Sequence, residues 1–147
     1  MSQEAHWRKL ENMYLKGASI NTALYESTGM VVSNELATIT LHVSQKYFHA
    51  AGAMHGSVYF KLLDDAAFFA VQSVVEDVFV LTTTFNIHML RPVSSGIIRS
   101  EGTVQFKSKN LFVAESKLFN QEGKLLAFGS GEFLKSKIGL TPEIGYQ

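Results

Sequence analysis

The chain has 147 residues, enough for one domain that buries about two-thirds of the surface its unfolded form exposes. Thirteen basic residues balance thirteen acidic ones, so no net field favours nucleic acid or an anionic membrane. There is no cysteine, which excludes disulfides, thiolate metal sites and cysteine nucleophiles, while eleven Phe and five Tyr point to a bulky core or an apolar pocket.

The N-terminal stretch MSQEAHWRKLENMYLKG carries charge throughout and lacks the apolar run of a signal peptide, so a cytoplasmic protein is expected. Residues 3 to 16 read as a short amphipathic helix, with Trp7, Leu10, Met13 and Tyr14 spaced to share one face and Gly17 as its stop. The pattern then changes to period two. Ala37, Ile39, Leu41 and Val43 alternate with Thr38, Thr40 and His42, as in a half-buried strand. Residues 44 to 55 form a connecting loop, and an apolar helix follows to Val75. Four more strand signals lie at 80 to 90, 97 to 106, 111 to 119 and 124 to 134. Their joins are short and rich in turn residues, which predicts an antiparallel meander. No repeat, low-complexity tract or linker interrupts the chain, so residues 1 to 147 are expected to form one domain with its core at about 35 to 135. The fold class is α+β: an antiparallel sheet of five or six strands curled around a long central helix, with a short N-terminal helix.

The central helix carries the chemistry. Thirteen of the twenty residues from Gly56 to Val75 are apolar, and they lie all round the helix. Such a helix crosses a membrane or fills a core, and Lys61, Asp64 and Asp65 in mid-segment make the membrane costly. Its N-terminus presents unpaired N–H groups and a partial positive charge, and Gly56 lets a ligand approach the backbone closely. A carbonyl oxygen gaining negative charge fits there. Asp64 lies seven residues beyond Ser57, about 10 Å along the axis, and cannot act on a group held at its own helix terminus. If both serve one reaction, they come from two subunits with antiparallel helices, which predicts a homodimer with two equivalent sites. Ser57, Lys61, Asp64, Asp65 and Gln72 fall on one polar strip, interrupted by Phe68. The plainer reading of that strip is a pairing of Lys61 with Asp64 or Asp65. His42 and His88 lie in strands without ligand spacing, and no H-E-x-x-H, G-x-S-x-G or Gly-rich phosphate loop is present. No metal site is expected.

His55-Gly56-Ser57, six residues and then Asp64 resemble the HGG-x6-D motif of hotdog-fold acyl-CoA thioesterases, in the phenylacetate-pathway (PaaI-like) branch. Thr82-Thr83-Thr84-Phe85-Asn86 followed by Leu90-Arg91-Pro92 resembles that branch's T-x-D-L-N and LRP segments. The likeness spans about residues 35 to 135. It implies hydrolysis of an acyl-coenzyme A thioester, with coenzyme A as part of the substrate and no separate cofactor. It also implies pairing of subunits through their sheets, as a homodimer or a homotetramer. Carried over by position, the amide of Gly56 or Ser57 polarises the thioester carbonyl. Asp64 of the partner subunit serves as general base or nucleophile, and Thr82 orients the attacking water. Two positions depart from the pattern: His49 stands where the family has Asn or Gln, and Ser57 replaces the second glycine. Ser57 would cap the helix while leaving the amide free.

Around these residues, Phe48, Tyr59, Phe60 and Phe68 are expected to shape the acyl pocket. His55 lies beside them and more readily bonds backbone than substrate. Asp65 is a partner for Lys61 or a substitute for Asp64. Lys107 and Lys109, on a hairpin, supply solvation and edge protection or meet coenzyme A phosphates. Two other functions stay open: a non-catalytic acyl-CoA-binding hotdog protein, and a hotdog enoyl-thioester hydratase in which His49 works with Asp64.

Overall fold

The computed structural model describes residues 1–147 and begins with helix α1, Gln3–Asn12, capped by the Ser2 hydroxyl, which accepts the Ala5 amide. The spacing predicts one helix to residue 16. Instead the chain widens into a π-type turn at Met13–Gly17, which keeps Met13 and Tyr14 buried. Gly17 is required where it stands, since a Cβ would lie 2.8 Å from the Ile144 carbonyl oxygen. Two elements then appear that the pattern does not predict: α2, Ser19–Leu24, and strand β1, Thr28–Ser33. The first is too short to show a period. The second turns only Met30 and Val32 fully inward.

Strand β2, Leu36–His42, leads through a loop to α3, Gly56–Gln72. Strands β3, Val78–Met89, β4, Ile97–Lys107, β5, Leu111–Phe119, and β6, Leu125–Gly139, complete one antiparallel sheet in the order β1-β2-β4-β5-β6-β3. This is the hotdog fold. The meander holds for β4, β5 and β6 and fails for β3, which pairs with β6 at the sheet's far edge. The join at residues 90 to 96 allows this. Seven extended residues reach about 23 Å, more than the roughly 14 Å of three strand spacings.

The helix sits directly on the sheet. A Cβ at Gly102 would lie 2.1 Å from the Ala66 carbonyl oxygen, so glycine alone permits the contact. Buried Ser100 and Ser116 donate hydroxyls to the carbonyls of Leu62 and Leu63 at 2.6 and 2.8 Å, fixing the helix in register. Gln72, placed on the polar strip by spacing, is fully buried beyond it. Its amide donates to Val75 and Val78 carbonyls and accepts the Val80 N–H, pinning the helix end to the start of β3. At the same end, α1 is tied down by His6 and Trp7, which bond the carbonyls of Gln72 and Ser73. No helix is long and apolar enough to cross a membrane.

Candidate active site

His55, not Ser57, caps α3. Its Nδ1 accepts the Ser57 amide at 3.0 Å and lies 2.8 Å from the Ser57 hydroxyl. That occupies the Ser57 N–H. The Gly56 N–H has no acceptor within the chain and is the donor left free at the helix terminus. A Cβ on Gly56 would approach the Met89 sulfur to 3.2 Å. Gly56 opens on a cavity of about 350 Å³ that it shares with His49, Tyr59, Met89 and Arg91. Tyr59 is fixed there by donating to the Arg91 carbonyl at 2.8 Å. His49 is exposed, with Nδ1 accepting the Ala51 N–H at 3.1 Å, so its ring is held by its own loop. Phe48 lies on the other side of the helix terminus, in a cavity of about 340 Å³ with Tyr25, Tyr47, His55 and Ser57.

Asp64 faces elsewhere. Its Oδ1 accepts the Thr82 hydroxyl at 2.8 Å, a contact that joins α3 to β3. Burial lifts its carboxyl from 3.8 to about 6; the Thr82 hydrogen bond and Lys61 oppose the rise, and Asp65 adds to it. It opens on a cavity of about 370 Å³ with apolar walls that include Phe68, Phe79, Leu81 and Ile20. Gly56 and Asp64 therefore serve separate cavities of one chain, about 12 Å apart along the helix.

Lys61 pairs with Asp65 at 2.6 Å, the pairing that the i,i+4 spacing allows. Tyr14, from the π-type turn, donates its hydroxyl to Asp65 at 2.7 Å and accepts from Lys61 at 3.1 Å. Spacing placed Tyr14 only on an apolar face; nothing in the sequence links a tyrosine to a carboxylate fifty-one residues later. Tyr25, whose ring lies 4.6 Å from the Lys61 ammonium, was equally illegible. Phe60 is half exposed and packs edge-on against Phe85. Lys107 pairs with Glu35 at 2.9 Å. Because the Glu35 amide bonds Ser73, that pair lies at the opposite end of α3 from Gly56. Lys109 is exposed on the hairpin between β4 and β5.

Comparison with known proteins gives the family and the fold. The model of the thioesterase superfamily matches residues 51–127, which include α3, β3 and β5. Among solved structures, the Escherichia coli PaaI protein from the phenylacetic acid degradation operon superposes with a TM-score of 0.83 at 20% identity, covering 95% of this chain and 99% of that one. A conserved protein of Pseudomonas aeruginosa gives 0.74 at 23% identity over 81% and 94% of the two chains. A thioesterase of Haemophilus influenzae gives 0.73 at 19% identity over 84% and 85%. No curated protein sequence matches the chain.

Proposed function

The chain belongs to the thioesterase superfamily, and from that premise we propose that it hydrolyses a small or medium acyl- or aryl-coenzyme A at sites shared between two subunits. One observation carries the reading. Asp64 is a carboxylate raised to about 6, held by one hydroxyl and opening on an apolar cavity. A base of that strength works near neutral pH. The thioester carbonyl accepts the free Gly56 N–H of one subunit. Asp64 of the partner subunit takes a proton from water, which Thr82 helps to orient, and the hydroxide attacks the carbonyl carbon. The tetrahedral oxyanion rests on the Gly56 amide and the helix terminus. Its collapse breaks the C–S bond, releases the carboxylic acid, and coenzyme A leaves as a thiolate that takes up a proton.

Pairing of two chains is supported by β3, an edge strand of twelve residues whose outer N–H and C=O groups have no strand beside them. Exposed Met89 ends it and exposed Leu90 follows, at the Gly56 end. A second copy added there would set the two α3 helices side by side and antiparallel, as a homodimer or as half of a homotetramer. His49 and Tyr59 line the Gly56 cavity and Phe68 the Asp64 cavity, so these side chains are the ones best placed to select the substrate.

The test is release of free coenzyme A from short, medium and long acyl-CoAs, phenylacetyl-CoA and benzoyl-CoA. Wild type should release it from at least one of them, and Asp64→Asn should fold yet lose about a hundredfold or more, the scale of a lost general base. Saturable binding of every member with no thiol release would favour the acyl-CoA-binding alternative.

A further inference from the structure

Asp64 stands beside a second carboxylate and an enclosed ammonium, and the hydrolysis described above uses neither. The Lys61 side chain keeps 12% of its exposure and Asp65 20%. Both are locked from outside their helix. The Tyr14 hydroxyl bridges them, and the rings of Tyr14 and Tyr25 stand 4.9 and 4.6 Å from the ammonium. Withdrawing such a pair from water is costly, and an exposed helix pair needs no such enclosure. Its location is what matters. Asp65 is the chain neighbour of Asp64, and Lys61 lies one turn before it on the same face. Every other residue lining the Asp64 cavity is uncharged; β3 contributes Phe79, Leu81 and, as its one polar side chain, Thr82, and the N-terminal segment contributes Tyr14 as its one titratable group.

We propose that Lys61, Asp65 and Tyr14 are positioning residues that balance the charge beside Asp64, so that this carboxylate meets its water free of any net field from its neighbours. The proposal rests on Asp64 as the base. Tyr14 lies outside residues 51–127, the part matched by the family model, so the device joins the N-terminal segment to the shared core. Removing Lys61 would leave two adjacent carboxylates. Asp64 would take the first proton, because burial already favours its neutral form while Asp65 keeps the Tyr14 donor. Removing Asp65 would leave the ammonium facing Asp64 alone and favour its ionised form.

The experiment is the pH dependence of kcat/KM on an acyl-CoA that the wild type turns over. Lys61→Met should move the acidic limb up by about one pH unit, and Asp65→Asn should move it down by about one. The double variant, with neither charge, should return the limb close to its wild-type position. Tyr14→Phe should move it in the Lys61→Met direction by less. Lys61→Arg should leave it in place, and with Asp65→Asn it reads the same balance if Lys61→Met does not fold. Losses of activity with every limb unmoved would mean a purely structural pair and overturn the proposal. An Asp64→Asn control with full activity would overturn the assignment of Asp64 as the base, and the proposal with it.

Discussion

Burial of Asp64 against apolar walls is opposed by one hydroxyl, and the carboxyl settles at about 6 instead of 3.8. That has a thermodynamic sign. The folded state binds the proton more tightly than the unfolded state, so stability is gained as pH falls from above 6 towards 3.8 and is lost again as pH rises. Asp64→Asn should therefore unfold at a higher temperature than wild type at pH 8, with the gap closing below about pH 4. The same group should give kcat/KM an acidic limb near 6 in the wild type. Thermal unfolding across pH, read beside the rate profile, checks both. At the other end of α3, the side chain of His55 decides which backbone donor stays free. Its ring takes the Ser57 amide, and the free donor becomes the glycine before it.

At the scale of elements, the approach of α3 to the sheet depends on Gly102. Its missing Cβ would lie 2.1 Å from Ala66 O and 2.6 Å from Ala67 N, both backbone atoms that cannot move alone. Gly102→Ala should cost at least about 3 kcal/mol, seen as a lower denaturant midpoint, because the helix must lift off β4. Most elements were legible where a period runs long enough. The alternation at Ala37, Ile39 and Leu41, and the apolar run after Gly56, correspond to β2 and α3. Short α2 and half-exposed β1 carry too few periodic residues to announce themselves. The place of β3 was hidden for another reason: strand partners are set by the sheet as a whole, and a seven-residue join permits either neighbour. Gln72 was misplaced because helical spacing gives an angle but does not say where the helix stops being exposed. The motif residues Gly56, Asp64 and Thr82 could be listed from the sequence. The enclosure of Lys61 by Tyr14 and Tyr25 could not, because it depends on how the N-terminal segment folds back.

For the whole molecule, two cavities lie apart along one helix, and the proposed hydrolysis needs a partner to join them. In that proposal Gly56 supplies the carbonyl's donor in one cavity and Asp64 the base in the other. An antiparallel pair of chains joined along β3 would bring each to the other twice. Subunit mixing tests whether the site is shared. Gly56→Pro removes the N–H at the first helical position, where proline is well tolerated. Chains carrying Gly56→Pro and chains carrying Asp64→Asn should each be inactive alone. Unfolded together and refolded in equal amounts, about half of the dimers would be mixed, each with one intact site, and about a quarter of the wild-type coenzyme A release should return. No recovery from mixtures shown to contain both chains in one dimer would contradict the shared site and place the whole reaction within a single chain.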